Sequence, residues 1–137
     1  MKRAFQFSLR SDLNNIKDVV AEAIFFLKEQ SLKIDFYGFK LVLTEALNNA
    51  VIHGNQQDPR LKVKGKVEVR DNSLKIHITD QGNGFDWRMV KDLNSSIDED
   101  PLREGGRGLK IFTLYGYDFT YRSNGCELQL KRALDAS

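Results

Sequence analysis

The chain has 137 residues, 41% of them hydrophobic and 29% charged, with a formal net charge of +2. That is the make-up of one soluble globular domain, residues 1–137, with room for a real core. The small charge gives no electrostatic case for nucleic acid or a membrane surface as partner, and no apolar run approaches the roughly 20 residues of a membrane span. Cys126 is the only cysteine, so no internal disulfide is possible, and a reducing, cytoplasmic setting is the simpler reading.

Residues 3–10 alternate, with Phe5, Phe7 and Leu9 on one face, and predict a half-buried strand. Ser11 or Asp12 is a fair N-cap for a helix from Asp12 to about Gln30, with Leu13, Ile16, Val19, Val20, Ala23, Ile24 and Leu27 turned inward. A second helix is expected from about Ile34 to His53. Its apolar face is Leu43, Ala46, Leu47, Ala50 and Val51. Residues four apart drift by only about 40° around a helix, so Glu45, Asn49 and His53 form a polar stripe beside Asn48. Gly54 and Asn55 supply the stop.

A polar loop follows to Arg60. Residues 61–70 alternate again, with Leu61, Val63, Val67 and Val69 on one face, and Asp71-Asn72 make a turn. In residues 73–80, Leu74, Ile76 and Ile78 point one way and Lys75, His77 and Thr79 the other. Asp80 shares the apolar parity. Either it is a turn residue just past the strand, or the strand aims a carboxylate inward, which is costly without a partner. His77 reads as an ordinary surface residue.

Trp87, Met89 and Val90 suggest a short helix, and Asn94 to Glu104 a polar, acidic loop. Gly105-Gly106-Arg107-Gly108 leads into a short helix, Leu109 to Tyr115. Residues 117–122 and 126–132 are two strands joined through Asn124-Gly125, a strong hairpin signal. Cys126 shares the parity of Leu128 and Leu130 and reads as core. The order predicts an α/β two-layer sandwich: a mainly antiparallel mixed sheet covered on one face by three helices.

Two glycine-rich stretches add chemistry to the polar stripe. In Asp80-Gln81-Gly82-Asn83-Gly84 the glycines permit close backbone approach to a flat ligand. Gly105 to Gly108 open a helix, where free N–H groups favour an anion such as phosphate. Arg107 can reach that phosphate or stay solvated.

Taken in order, three motifs carry a resemblance. Glu45-x-x-x-Asn49-Ala50-x-x-His53-Gly54 resembles the N box of the Bergerat-fold (GHKL) ATPases. Asp80-x-Gly82-x-Gly84-Phe85-Asp86 resembles their G1 box, although Trp87 follows where the family often has proline. Gly106-Arg107-Gly108-Leu109 resembles their G2 box. The resemblance covers about residues 5–132 and is strongest to the anti-sigma factor serine/threonine kinases.

It implies an enzyme that uses ATP and Mg²⁺. Glu45 would be the general base and Asn49 the Mg²⁺ ligand, with Asn48 and His53 supporting. Asp80 would accept the adenine amine, beside Gly82 and Gly84. Gly105, Gly106, Arg107, Gly108 and Leu109 would cradle the phosphates, and residues 88–104 would form a lid. The implied partners are an anti-anti-sigma (STAS-type) substrate, a sigma factor and a second copy in a homodimer. The alternative is an ATP-dependent binding module without significant kinase activity.

Overall fold

The computed structural model describes residues 3–83 and 104–134, with residues 104–108 and Asn124 described by backbone alone. β1 is Ala4–Arg10, followed by α1 (Ile16–Glu29) and α2 (Phe36–Asn49). A π-helical turn, Ala50–Gly54, extends α2. β2 (Lys62–Arg70) and β3 (Ser73–Asp80) come next, then α3 (Glu104–Leu114), β4 (Asp118–Arg122) and β5 (Glu127–Ala133).

The strands form one sheet in the order β1-β2-β3-β5-β4, with every described pairing antiparallel. Alternation decides which face is covered. Val63, Val67, Leu74, Ile76 and Leu130 are fully buried beneath the helices, while Lys64, Thr79 and Lys131 are exposed on the other face. Leu27, Phe39, Leu43, Leu47 and Phe112 bring the three helices onto that core. The expected two-layer architecture is therefore present. No helix among the described residues is long and apolar enough to cross a membrane.

Element ends follow local chemistry. Asp12 caps the turn that opens α1, accepting from Asn14 N–H at 2.9 Å. Asp35 caps α2, accepting from Gly38 N–H at 3.0 Å. Ser11, the other cap candidate, does different work: its hydroxyl donates to Leu61 O at 3.0 Å and ties β1 to the entrance of β2.

Four expectations change. Leu13, expected inward, is 41% exposed in the turn before α1. The second helix is not α-helical to His53, because Asn55 N–H bonds to Ala50 O at 2.8 Å, a five-residue span. α3 begins at Glu104 and takes Gly105 to Gly108 into its first turns instead of following them. Cys126 is half-buried rather than core. The proposed short helix at Trp87, the loop from Asn94 and Gly84 lie outside the described residues.

Candidate functional site

The site is built where α2, its π turn and the end of β3 meet. Asp80 closes β3 on the inward parity and is 7% exposed, so the inward reading of the alternation holds. Its Oδ1 accepts from Gly82 N–H at 3.0 Å. The Cys126 thiol hydrogen-bonds the carboxylate and also lies 3.4 Å from Gly82 O. Burial raises the Asp80 pKa, while Gly82 N–H and the thiol pull it down. Neither contact neutralises a charge, so a donor-bearing ligand at this carboxylate would meet a real deficit.

Two glycines make the packing possible. A Cβ on Gly54 would strike the Asp80 carboxylate, and one on Gly82 would land on the Gly54 carbonyl oxygen. The π turn and the strand end are thus in van der Waals contact around the acid. A buried carboxamide locks them there. Asn55, 1% exposed, accepts from Gln81 N–H at 2.8 Å and donates to Lys62 O at 2.9 Å and Ser11 Oγ at 2.6 Å.

A narrow cleft opens beside Asp80. Ile78 and Leu128 floor it, and Asn49, Tyr121 and Cys126 line it with the acid. Its volume is about 10 Å³, so a planar base enters only as lining side chains part. Asn49 is hydrogen-bonded to Tyr121 across it. Glu45 lies one helical turn before Asn49 on the same stripe, and Glu45, Asn49 and His53 are all half-buried. Asn48 opens elsewhere: with Thr44 it lines a groove between α1 and α2, beside Leu13 and Ile24.

At the far motif, Leu109 is 4% exposed and anchors α3. Gly105, Gly106, Arg107 and Gly108 contribute the first turns of its backbone. Among the described residues, no three His, Cys, Asp or Glu side chains gather to hold a metal ion. A cation carried largely by a ligand's own oxygens, as Mg²⁺ accompanies phosphates, fits these residues, with the Asn49 carboxamide as a protein oxygen.

A helix stripe, an inward carboxylate and a glycine-opened helix therefore stand in the order of the three boxes. The family model described as histidine kinase-like ATPase domain matches residues 9–131. The chain belongs to this family. Among curated histidine kinase-like relatives, a serine-protein kinase RsbW of Staphylococcus epidermidis is 30% identical over 102 residues, covering 70% of this chain and 64% of that protein. A serine-protein kinase RsbW of Staphylococcus aureus strain JH9 is 28% identical over 104 residues, covering 72% and 65%. The chain thus spans just under two thirds of the length of the curated relatives it matches. The sheet and three helices described above are the histidine kinase-like, GHKL form of the α/β fold.

Sequence reasoning missed Asn55, Tyr121 and the pocket role of Cys126. The alternation did signal the last two: Tyr121 and Cys126 share the inward parity at the strand ends nearest Asp80.

Proposed function

We propose that this domain binds ATP with Mg²⁺ and transfers its γ-phosphoryl group to a serine or threonine of an anti-anti-sigma (STAS-type) protein, acting as an anti-sigma factor in a partner-switching circuit. The observation that carries the reading is the Asp80 carboxylate, buried against Gly54 and Gly82 and open to the cleft that Asn49 lines. Its acceptor oxygens suit an exocyclic amine, and the glycines let backbone lie close to a flat base.

The residues then take these roles. Asp80 accepts from adenine, with Gly82 and Gly84 beside the base. Asn49 offers its amide oxygen to the cation, with Asn48 and His53 supporting the helix end. When bound, Mg²⁺ offsets the charge that builds on the phosphates. Backbone N–H groups of Gly105 to Leu109, at the start of α3, receive phosphate oxygens, where the helix dipole favours anions. Glu45 accepts the proton of the attacking hydroxyl. The relatives' printed name, serine-protein kinase, is in keeping with transfer to serine, and the lone Cys126 with a reducing, cytoplasmic setting; a homodimer acting on a sigma factor completes the proposal.

Titration calorimetry with ATP and with GTP, each with and without Mg²⁺, tests the binding step. ATP preference strengthened by Mg²⁺ is expected. Equal affinity for both nucleotides would remove Asp80 as the base reader. Incubation with labelled ATP and candidate STAS-type proteins tests transfer: serine or threonine labelling is expected, and binding without labelling would leave a nucleotide-dependent binding module.

A further inference from the structure

We propose that Tyr121 is a latch on the cleft, competing with the entering nucleotide for Asn49 and for the space beside Asp80. This rests on the ATP reading above. Four observations converge. Tyr121 lines the cleft with Asn49 and Asp80. Its hydroxyl is hydrogen-bonded to the Asn49 carboxamide, which links the edge strand β4 to α2 across the opening. The cleft holds about 10 Å³, the room of roughly one water and far short of a purine. Finally, Tyr121 sits in β4, the edge strand of the sheet among the described residues.

The placement follows from register. Gly65, Ile78, Leu128 and Tyr121 form one cross-strand row on the covered face. Gly65 lies beneath the Phe7 ring, and Ile78 and Leu128 floor the cleft beside Ala46 and Asn49 of α2. Tyr121 is long enough to reach Asn49 of α2, and its ring is held on one side by Phe119, 6.2 Å away and edge-on. Burial pushes the phenol up to about 12, so the hydroxyl stays neutral at physiological pH and the link persists there.

A base reaching Asp80 must part Tyr121 from Asn49. The same event releases the Asn49 amide N–H from the phenol oxygen, so the carboxamide can turn its oxygen toward the cation. Opening therefore couples the base pocket to the metal ligand through a single hydrogen bond. The released hydroxyl remains satisfied, because Tyr121 is only partly buried and an outward swing of this edge-strand side chain takes it to water.

Tyr121→Phe keeps the ring and removes the bond. Stopped-flow mixing of the full chain with a fluorescent ATP analogue and Mg²⁺ should show association faster, and affinity tighter, by about two- to tenfold, the worth of one ordinary hydrogen bond. Tyr121→Leu, which also clears the space, should give at least as large a gain. In the parent, the Asn49 side-chain amide resonances should move on adding ATP toward their positions in unliganded Tyr121→Phe. Unchanged or weaker ATP binding by both variants, with a parent that binds ATP, overturns the latch and leaves the ATP reading intact. A parent that binds no ATP overturns both.

Discussion

The side-chain oxygen of Asn55 accepts a hydrogen bond from Gln81 N–H at 2.8 Å, across 26 residues of sequence. Gln81 directly follows Asp80, so the carboxamide fixes the backbone on which the acid is mounted. The same side chain reaches Ser11 and Lys62, and Gln81 Oε1 in turn accepts from Lys62 N–H at 2.7 Å. One buried residue thus joins the ends of β1 and β3 to the start of β2. Asn55→Ala leaves several of these groups unpaired and should cost about 2–4 kcal/mol by urea unfolding, given roughly 1–3 kcal/mol for each buried unsatisfied group. A loss under about 0.5 kcal/mol would show that water replaces the carboxamide at no cost.

Gly82→Ala should damage the site more selectively. The added methyl meets the Gly54 carbonyl oxygen, and Asn55 prevents the backbone from yielding. Overpacking of this kind costs about 1–3 kcal/mol. We expect a Tm lower by several degrees and nucleotide affinity lower by about tenfold or more, read by thermal melting and calorimetry. Full ATP affinity in a folded variant would mean that this turn does not touch the base.

Asp80→Asn separates stability from binding. The acid's pKa is raised in the fold, chiefly by burial. Such a group contributes stability below its unfolded pKa, and that contribution is lost as pH rises through the raised folded value. At pH 7 the ionised carboxylate is therefore a cost, and the neutral amide keeps an oxygen for Gly82 N–H. The variant should melt at or above the parent temperature at pH 7. It should also bind ATP at least about fivefold more weakly, because a buried donor now faces the base amine. A variant that melts well below the parent at pH 7 would reverse the sign assigned to burial.

Glu45→Ala should leave nucleotide affinity close to that of the parent and slow phosphoryl transfer by about 10²–10⁴-fold, the usual worth of a general base. Single-turnover transfer to the cognate protein reads the rate, and calorimetry reads the binding. Equal rates in variant and parent would remove Glu45 from the proton transfer.

The layers and the acid were legible because both rest on period. Alternation from Leu74 to Ile78 offered an inward Asp80 beside the turn reading, and Ala46, Leu47, Ala50 and Val51 declared the buried side of α2. Asn55 was not legible as a keystone. Its partners Ser11, Lys62 and Gln81 share no periodic relation with it, and a polar residue after glycine looks like any helix stop. Cys126 was half legible: parity turned it inward, but only the nearness of the β3 end to the β5 start makes inward mean beside a carboxylate. Tyr121 failed for a similar reason, since its hydroxyl meets a residue 72 positions earlier in the chain. The glycines at 105 to 108 misled by propensity. Each disfavours a helix interior by about 1 kcal/mol relative to alanine, yet they occupy the first turns of α3, where backbone N–H groups have no partner within the helix.

The five-residue span from Ala50 to Gly54 makes the end of α2 sensitive to chain length rather than to composition. Each residue of a helix advances by about 100°. Deleting Ile52 alone would let the ordinary four-residue bond close in place of the wider one. Gly54 would then swing about a quarter turn away from the Asp80 carboxylate, and Asn55 would leave its three partners. The core would lose no large buried side chain, since Ile52 is only half-buried. At Ile52 a substitution that preserves length is a milder event than the loss of the residue, so homologous sequences should vary in letters at this position and hold the count of the turn constant.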